Sequence, residues 1–196
     1  MRYLCPRCDR VFDENLGTCP EDGEDLVGLK DPDGIVGKTL DGRFDVKRLL
    51  GRGGMGSVYL AHQRSVDREV ALKVLKRDLL EDAQQVKRFI VEARAASRLE
   101  NPHTITIYDF GRTEDGILYI AMEYLRGSSL RDRIQKQGAL SIDETLRVTA
   151  EIAESLAEAH EHGIVHRDMK PENVMLAQRR SGDETVKVLD FGIARA

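Results

Sequence analysis

Four short stretches of this 196-residue chain hold residue types and spacings suited to chemistry. The first, Gly51-Arg52-Gly53-Gly54-Met55-Gly56-Ser57-Val58, has the spacing Gly-x-Gly-x-x-Gly. Such a loop lets backbone N–H groups approach phosphate oxygens with no Cβ in the way. Glycine-rich hairpin turns share the spacing, so the stretch needs support from elsewhere. A dinucleotide fingerprint needs glycines that open a helix, whereas the residues after Gly56 read as a strand. Gly37-Lys38-Thr39 resembles the end of a P-loop, but Pro32 stands where that motif needs its first glycine. The second stretch is Val70-Ala71-Leu72-Lys73-Val74-Leu75. A lysine inside so apolar a strand is costly to bury unless paired. Glu92, on the helix that follows, can meet Lys73 and hold its ammonium toward phosphates, although a surface glutamate is the plainer reading of it alone. The third and fourth stretches are His166-Arg167-Asp168-Met169-Lys170-Pro171-Glu172-Asn173 and Asp190-Phe191-Gly192.

The elements that must position these residues follow from periodicity. Phe44 to Leu50 alternates as a strand, the glycine turn follows, and Ser57 to His62 forms a second strand. Glu69 to Leu75 is a third, apolar on both faces and so buried. Residues 82 to 99 are helical, with Val86, Phe89, Ile90, Ala93, Ala96 and Leu99 in one stripe. Strands at Ile105 to Phe110 and Leu118 to Glu123 flank a turn at residues 113 to 116. A long helix spans 142 to 161, with Ser141 and Glu144 as a capping box and Gly163 as its stop. Short strands at Val174 to Leu176 and Val186 to Leu189 complete the pattern. Five strands with one inserted helix, then a helical part, predict two lobes.

In that order and at those separations, the four stretches resemble the glycine loop, the lysine strand, the catalytic loop and the Asp-Phe-Gly motif of protein kinases. The flavour is that of bacterial, eukaryotic-like serine/threonine kinases, which Gly-Arg-Gly-Gly-Met-Gly-Ser-Val-Tyr and Ile107-Tyr108-Asp109-Phe110-Gly111 resemble. The resemblance covers residues 44 to 196. It implies an α+β, bilobal kinase-like fold: an N-lobe over 44–125 and part of a C-lobe over 126–196. It implies ATP and Mg²⁺ as cofactors and a protein hydroxyl as acceptor. Asp168 would orient the attacking hydroxyl or accept its proton, and Lys170 would stabilise the transferring phosphate. Asn173 and Asp190 supply oxygen ligands, as hard Mg²⁺ demands. Lys73 would hold the α- and β-phosphates, and Glu92 would hold Lys73. Gly51, Gly53 and Gly56 would cover the phosphates. Met122 resembles the gatekeeper, Glu123 and Leu125 would offer hinge backbone groups to adenine, and Val58, Ala71 and Met175 would sandwich its ring, although these apolar residues are equally explained as core. His166 resembles a structural histidine that packs on Phe191.

All three cysteines lie before residue 20. Cys5-Pro6-Arg7-Cys8 and Cys19-Pro20-Glu21-Asp22-Gly23 form two Cys-Pro turns that resemble a zinc ribbon, with Asp22 where a fourth cysteine would stand. A Zn²⁺ site of Cys5, Cys8, Cys19 and Asp22 is one reading. Three cysteines completed by water or another residue is a second, and a metal-free arm is a third. A zinc-ribbon-like module over 1–28 followed by a linker over 29–43 is expected, with scaffolding or contact to a protein partner as its role.

Composition bounds the rest. A net charge of -4 with dispersed basic residues argues against nucleic acid as the main partner. No stretch approaches the roughly 18 apolar residues of a membrane helix, and the N-terminus lacks a signal peptide's apolar core. A cytoplasmic, soluble chain is expected. The chain ends four residues after Gly192, before any activation segment or substrate platform. The expectation is therefore a fragment with little phosphotransferase activity alone and an exposed apolar patch on the 142–161 helix. The alternative is a catalytically deficient nucleotide-binding or zinc-dependent interaction module.

Overall fold

The computed structural model describes residues 2–5, 11–12, 16–24, 27–29, 34–76, 79–80, 82–178 and 182–191. Cys8 and Gly192 lie outside them, as does the side chain of Glu92.

The first elements are three short strands, β1 (Arg2–Leu4), β2 (Val11–Phe12) and β3 (Val27–Leu29), paired antiparallel in the order β2-β1-β3. A second, six-stranded sheet follows. It comprises β4 (Thr39–Leu40), β5 (Phe44–Arg52), β6 (Gly56–Gln63), β7 (Arg68–Leu75), β8 (Ile107–Arg112) and β9 (Leu118–Glu123), in the order β4-β5-β6-β7-β9-β8. The five strands expected from alternation are all present. The sixth, β4, comes from the stretch read as a linker. Ile35 and Leu40 are buried there against Phe44, Tyr59 and Tyr119, so part of residues 29–43 belongs to the sheet's core. The Gly and Asp content masked this, because only a few apolar residues are needed to anchor one edge strand.

Side-chain alternation divides the sheet. Val70, Leu72 and Val74 of β7, with Tyr119 and Ala121 of β9, build the core on one face. On the other face Leu75, Leu118 and Ile120 pack against Phe89 and Ala93 of helix α1 (Ala83–Ala96). Ala71 and Met122 share that second face with Ile105 in a further apolar cluster, which Val58, Leu125 and Leu189 border.

The remainder holds β10 (Gly127–Ser129), α2 (Leu130–Gln137), α3 (Ile142–Glu161), β11 (Val174–Gln178) and β12 (Glu184–Val188). Strands β10, β11 and β12 form a small antiparallel sheet. The sequence reading missed α2, whose sequence Leu-Arg-Asp-Arg-Ile-Gln-Lys-Gln has little apolar periodicity; its Ser129 cap accepts the Asp132 N–H at 3.0 Å. The expected capping box of α3 is present. Ser141 Oγ accepts the Glu144 N–H at 3.2 Å, and the Glu144 carboxylate accepts the Ser141 N–H at 3.0 Å. Gly163, at φ +70°, ends the helix in the left-handed region. Val148 and Ala159 of α3 pack with Leu176, Val186, Val188 and Phe191. No helix among the described residues is long and apolar enough to cross a membrane.

Candidate active site

The glycine turn is the tip of the β5–β6 hairpin, closed by the Gly53 N–H donating to the Gly56 carbonyl at 2.8 Å. Its glycines have different reasons to be there. A Cβ on Gly56 would stand 2.1 Å from the Val74 carbonyl oxygen, so the close approach of β7 demands glycine. A Cβ on Gly51 would meet nothing within 4 Å.

Lys73 lies in β7 opposite Val58 and Ile120. Two residues from Ala71, it shares that residue's face. It is only 8% exposed, and its ammonium lies 2.8 Å from the Asp190 carboxylate. This pairing answers the cost of burying a cation in an apolar strand. Glu92 belongs to α1, but its side chain is outside the described residues, so its pairing with Lys73 stays an expectation. Lys73, Met122, Asp190 and Phe191 line one small hollow beside α1.

The catalytic-loop stretch is irregular, and hydrogen bonds hold it. Asp168 accepts Lys170 Nζ at 2.7 Å and the Asn173 side-chain amide at 3.1 Å. The same amide nitrogen donates to the Asp168 carbonyl at 2.8 Å, so the oxygen of the Asn173 amide is the atom with which it could take a hard cation. The Lys170 ammonium holds the Asp168 carboxyl below the usual carboxylate range, and Asp168 holds Lys170 above the usual ammonium range. Asp168 is therefore an anion and Lys170 a cation throughout the neutral range.

His166 joins this loop to Asp190. Its Nε2 bonds the Leu189 carbonyl at 2.7 Å, and the Asp168 N–H donates to its Nδ1 at 3.3 Å. The His166 ring packs on the fully buried Phe191 with centroids 4.8 Å apart, as expected of a structural histidine. The Leu189 N–H donates to the Asn173 carbonyl at 2.8 Å. Two of the non-glycine residues in the left-handed region flank the site, Arg167 at φ +60° and Asp190 at φ +49°. Such backbone costs of order 1–3 kcal/mol and persists only where the surroundings impose it.

The residues expected to enclose adenine are brought together in part. Val58, Ala71, Met122 and Leu125 meet in one apolar cluster. Met175, central in the β10-β11-β12 sheet, faces opposite to Val174 and Leu176, which are in the lower core. The Glu123 N–H is donated to the Thr106 carbonyl at 2.9 Å, so Glu123 can offer a base an acceptor and not a donor. The sequence reading missed Lys187. It donates to the Glu123 carboxylate at 2.6 Å and to the Thr104 carbonyl at 3.0 Å, bracing Glu123 from β12. No sequence signal marks that pair, because its partners are 64 residues apart.

At the N-terminus, Cys5, Cys19 and Asp22 converge: their ligand atoms all lie within 4.8 Å of one another. Cys8 is outside the described residues.

The family model of the protein kinase domain matches residues 44–196. The serine/threonine-protein kinase pkn3 of Myxococcus xanthus is 47% identical over 84% of this chain and 30% of its own length. The serine/threonine-protein kinase PrkC of Bacillus subtilis is 43% identical over 83% of this chain and 24% of its own. The chain thus spans less than a third of these relatives. The crystal structure of the Mycobacterium tuberculosis PknI kinase domain aligns with a TM-score of 0.68 at 33% identity, covering 86% of this chain and 64% of that one.

Proposed function

Since this chain belongs to the protein kinase domain family, we propose that its cleft binds Mg-ATP and serves transfer of the γ-phosphate to a serine or threonine hydroxyl of a protein. Phosphoryl transfer needs little covalent chemistry from the protein; positioning and neutralisation of charge do most of the work. Lys73 takes the α- and β-phosphates, held in place by Glu92, and the turn carrying Gly51, Gly53 and Gly56 covers them. Val58, Ala71 and Met175 enclose the adenine, with Glu123 and Leu125 giving backbone groups at its edge. Asn173 and Asp190 are hard oxygen donors and fit Mg²⁺, which when bound neutralises phosphate charge. Asp168, ionised at neutral pH, orients the acceptor hydroxyl and takes its proton. Lys170 neutralises the phosphate as the oxygen bond forms.

One observation carries this reading: the bond from His166 to Leu189 joins the Asp168–Lys170–Asn173 network to the Lys73–Asp190 pair. Two groups of oppositely charged side chains are thereby linked through one histidine. The N-terminal module is read as a contact for a protein partner. An ATP-using enzyme with reduced cysteines belongs in the cytoplasm.

Titration of the chain with Mg-ATP, followed by thermal shift and by labelled phosphate transfer, tests the reading. ATP should raise the melting temperature only with Mg²⁺ present, and Lys73→Met or Asp190→Asn should abolish the shift. In any preparation that transfers phosphate, Asp168→Asn should lower the rate by about two to four orders of magnitude while keeping the ATP shift. Equal ATP shifts in wild type and the Lys73→Met, Asp190→Asn double variant would refute it.

A further inference from the structure

The kinase reading leaves the N-terminal cysteine cluster unused. Among residues before Ile35 whose burial is described, the only buried ones are Cys5 and Cys19, at 0% and 2% exposure. Among the described residues, none before Ile35 belongs to an apolar core cluster. The sheet there has strands of three, two and three residues. So small a unit needs a staple other than apolar burial. Among the residues there whose burial is described, the enclosed groups are the two thiols, beside the half-buried carboxylate of Asp22.

The backbone brings these groups together deliberately. Cys5 directly follows β1. The Gly23 N–H donates to the Cys19 carbonyl at 2.9 Å, and the Cys19 N–H donates to the Glu24 carbonyl at 2.7 Å. Gly23 sits at φ +72°, which permits the tight reversal after Pro20. Asp22 Oδ1 accepts the Glu24 N–H at 3.1 Å, which fixes the carboxylate's direction. Cys5 Sγ then lies 3.3 Å from both Asp22 oxygens. With Zn–S near 2.3 Å and Zn–O near 2.0 Å, a tetrahedral ion separates a thiolate and a carboxylate oxygen by about 3.5 Å. The spacing is that of two ligands on one metal.

From this we infer that Cys5, Cys19 and Asp22 hold a structural zinc ion that staples the N-terminal module. Two soft thiolates and one carboxylate suit Zn²⁺ better than Mg²⁺ or Ca²⁺, which take oxygen alone. A neutral Cys5 thiol bonded to Asp22 is the competing account, and it predicts no metal.

The test uses the full chain purified from cells supplied with zinc. Elemental analysis should find about one zinc per chain, falling to below about 0.1 in a Cys5→Ser, Cys19→Ser double variant. Because that variant also removes packing, a restoring substitution is the sharper arm. Asp22→Cys should keep the zinc and release it to a chelator about tenfold more slowly, since a thiolate replaces a harder ligand. Chelation should also raise amide exchange in residues 2–29 and leave β5 to β9 unchanged. Wild-type protein with no zinc would overturn the inference. So would full zinc content in the double variant, or amide exchange that chelation does not alter.

Discussion

In β7 every residue from Val70 to Leu75 is buried, whereas α3 buries three of its twenty residues and leaves Ile142 80% and Leu146 65% exposed. The two elements are held differently. The sheet closes on its own side chains, with apolar cores on both faces. Helix α3 is fastened by polar anchors as well. Glu158 accepts the N–H groups of Glu100 and Asn101 at 2.8 and 2.9 Å, Thr104 and Ser155 share a buried hydrogen bond, and Glu151 accepts the Val186 N–H at 2.8 Å. The sheet that carries Lys73 therefore rests on packing, and the part built around α3 rests to a larger degree on charge. Packing tolerates acid and resents added volume; charged anchors behave in the opposite way.

The largest effect should come from adding one methyl group in the sheet. Gly56→Ala places a Cβ against the Val74 carbonyl and should cost about 3 kcal/mol by denaturant unfolding. Gly51→Ala, in the same loop, meets open space and should cost less than about 0.5 kcal/mol. Equal costs would remove the distinction between a packing glycine and one that faces open space.

A smaller effect is expected where charge fastens α3. Burial pushes the Glu151 carboxyl up, but the Val186 N–H, Arg147 and His103 outweigh it and hold the group below its ordinary value. A carboxyl lowered in the folded state stabilises fully above its unfolded pKa, and that contribution is lost as pH falls through the folded value. Glu151→Gln should therefore cost about 2 kcal/mol at neutral pH. The difference from wild type should shrink on acidification below about pH 4. A difference that stayed constant down to pH 2 would show that shape, and not charge, fastens the helix.

The smallest effect concerns the exposed end of α3. Ile142→Ser with Leu146→Ser should change the stability of this chain by no more than about 0.5 kcal/mol. It should also reduce self-association measured by sedimentation, because the variant removes an exposed apolar patch. A loss of stability comparable to that of a core substitution would mean the helix end is packed after all.

Much of the fold was legible from short windows. The five strands over residues 44 to 123 followed from alternation. The α3 boundaries followed from Ser141, Glu144 and Gly163, because capping groups lie within four residues of the backbone they satisfy. Helix α2 escaped, since Leu130 is its sole buried residue and no apolar stripe announces it. Strand β4 escaped for a related reason. Its partner β5 and its core neighbour Tyr119 give Leu40 its place, while its own neighbours in sequence suggest a loop. The candidate site was legible as a set of residue types, and the position of Lys187 behind Glu123 was not.

By itself, then, the sequence determined which groups are present and in what order: a glycine hairpin, a lysine in an apolar strand, an aspartate–lysine–asparagine loop, a second aspartate, and paired Cys-Pro turns. Local spacing and backbone conformation carry that information. Tertiary structure decided which of those groups touch. Lys73 meets Asp190 across 117 residues, and Cys5 meets Asp22 across 17. Such pairings depend on how whole segments pack and on where burial makes an unpaired charge too costly, which no local window contains.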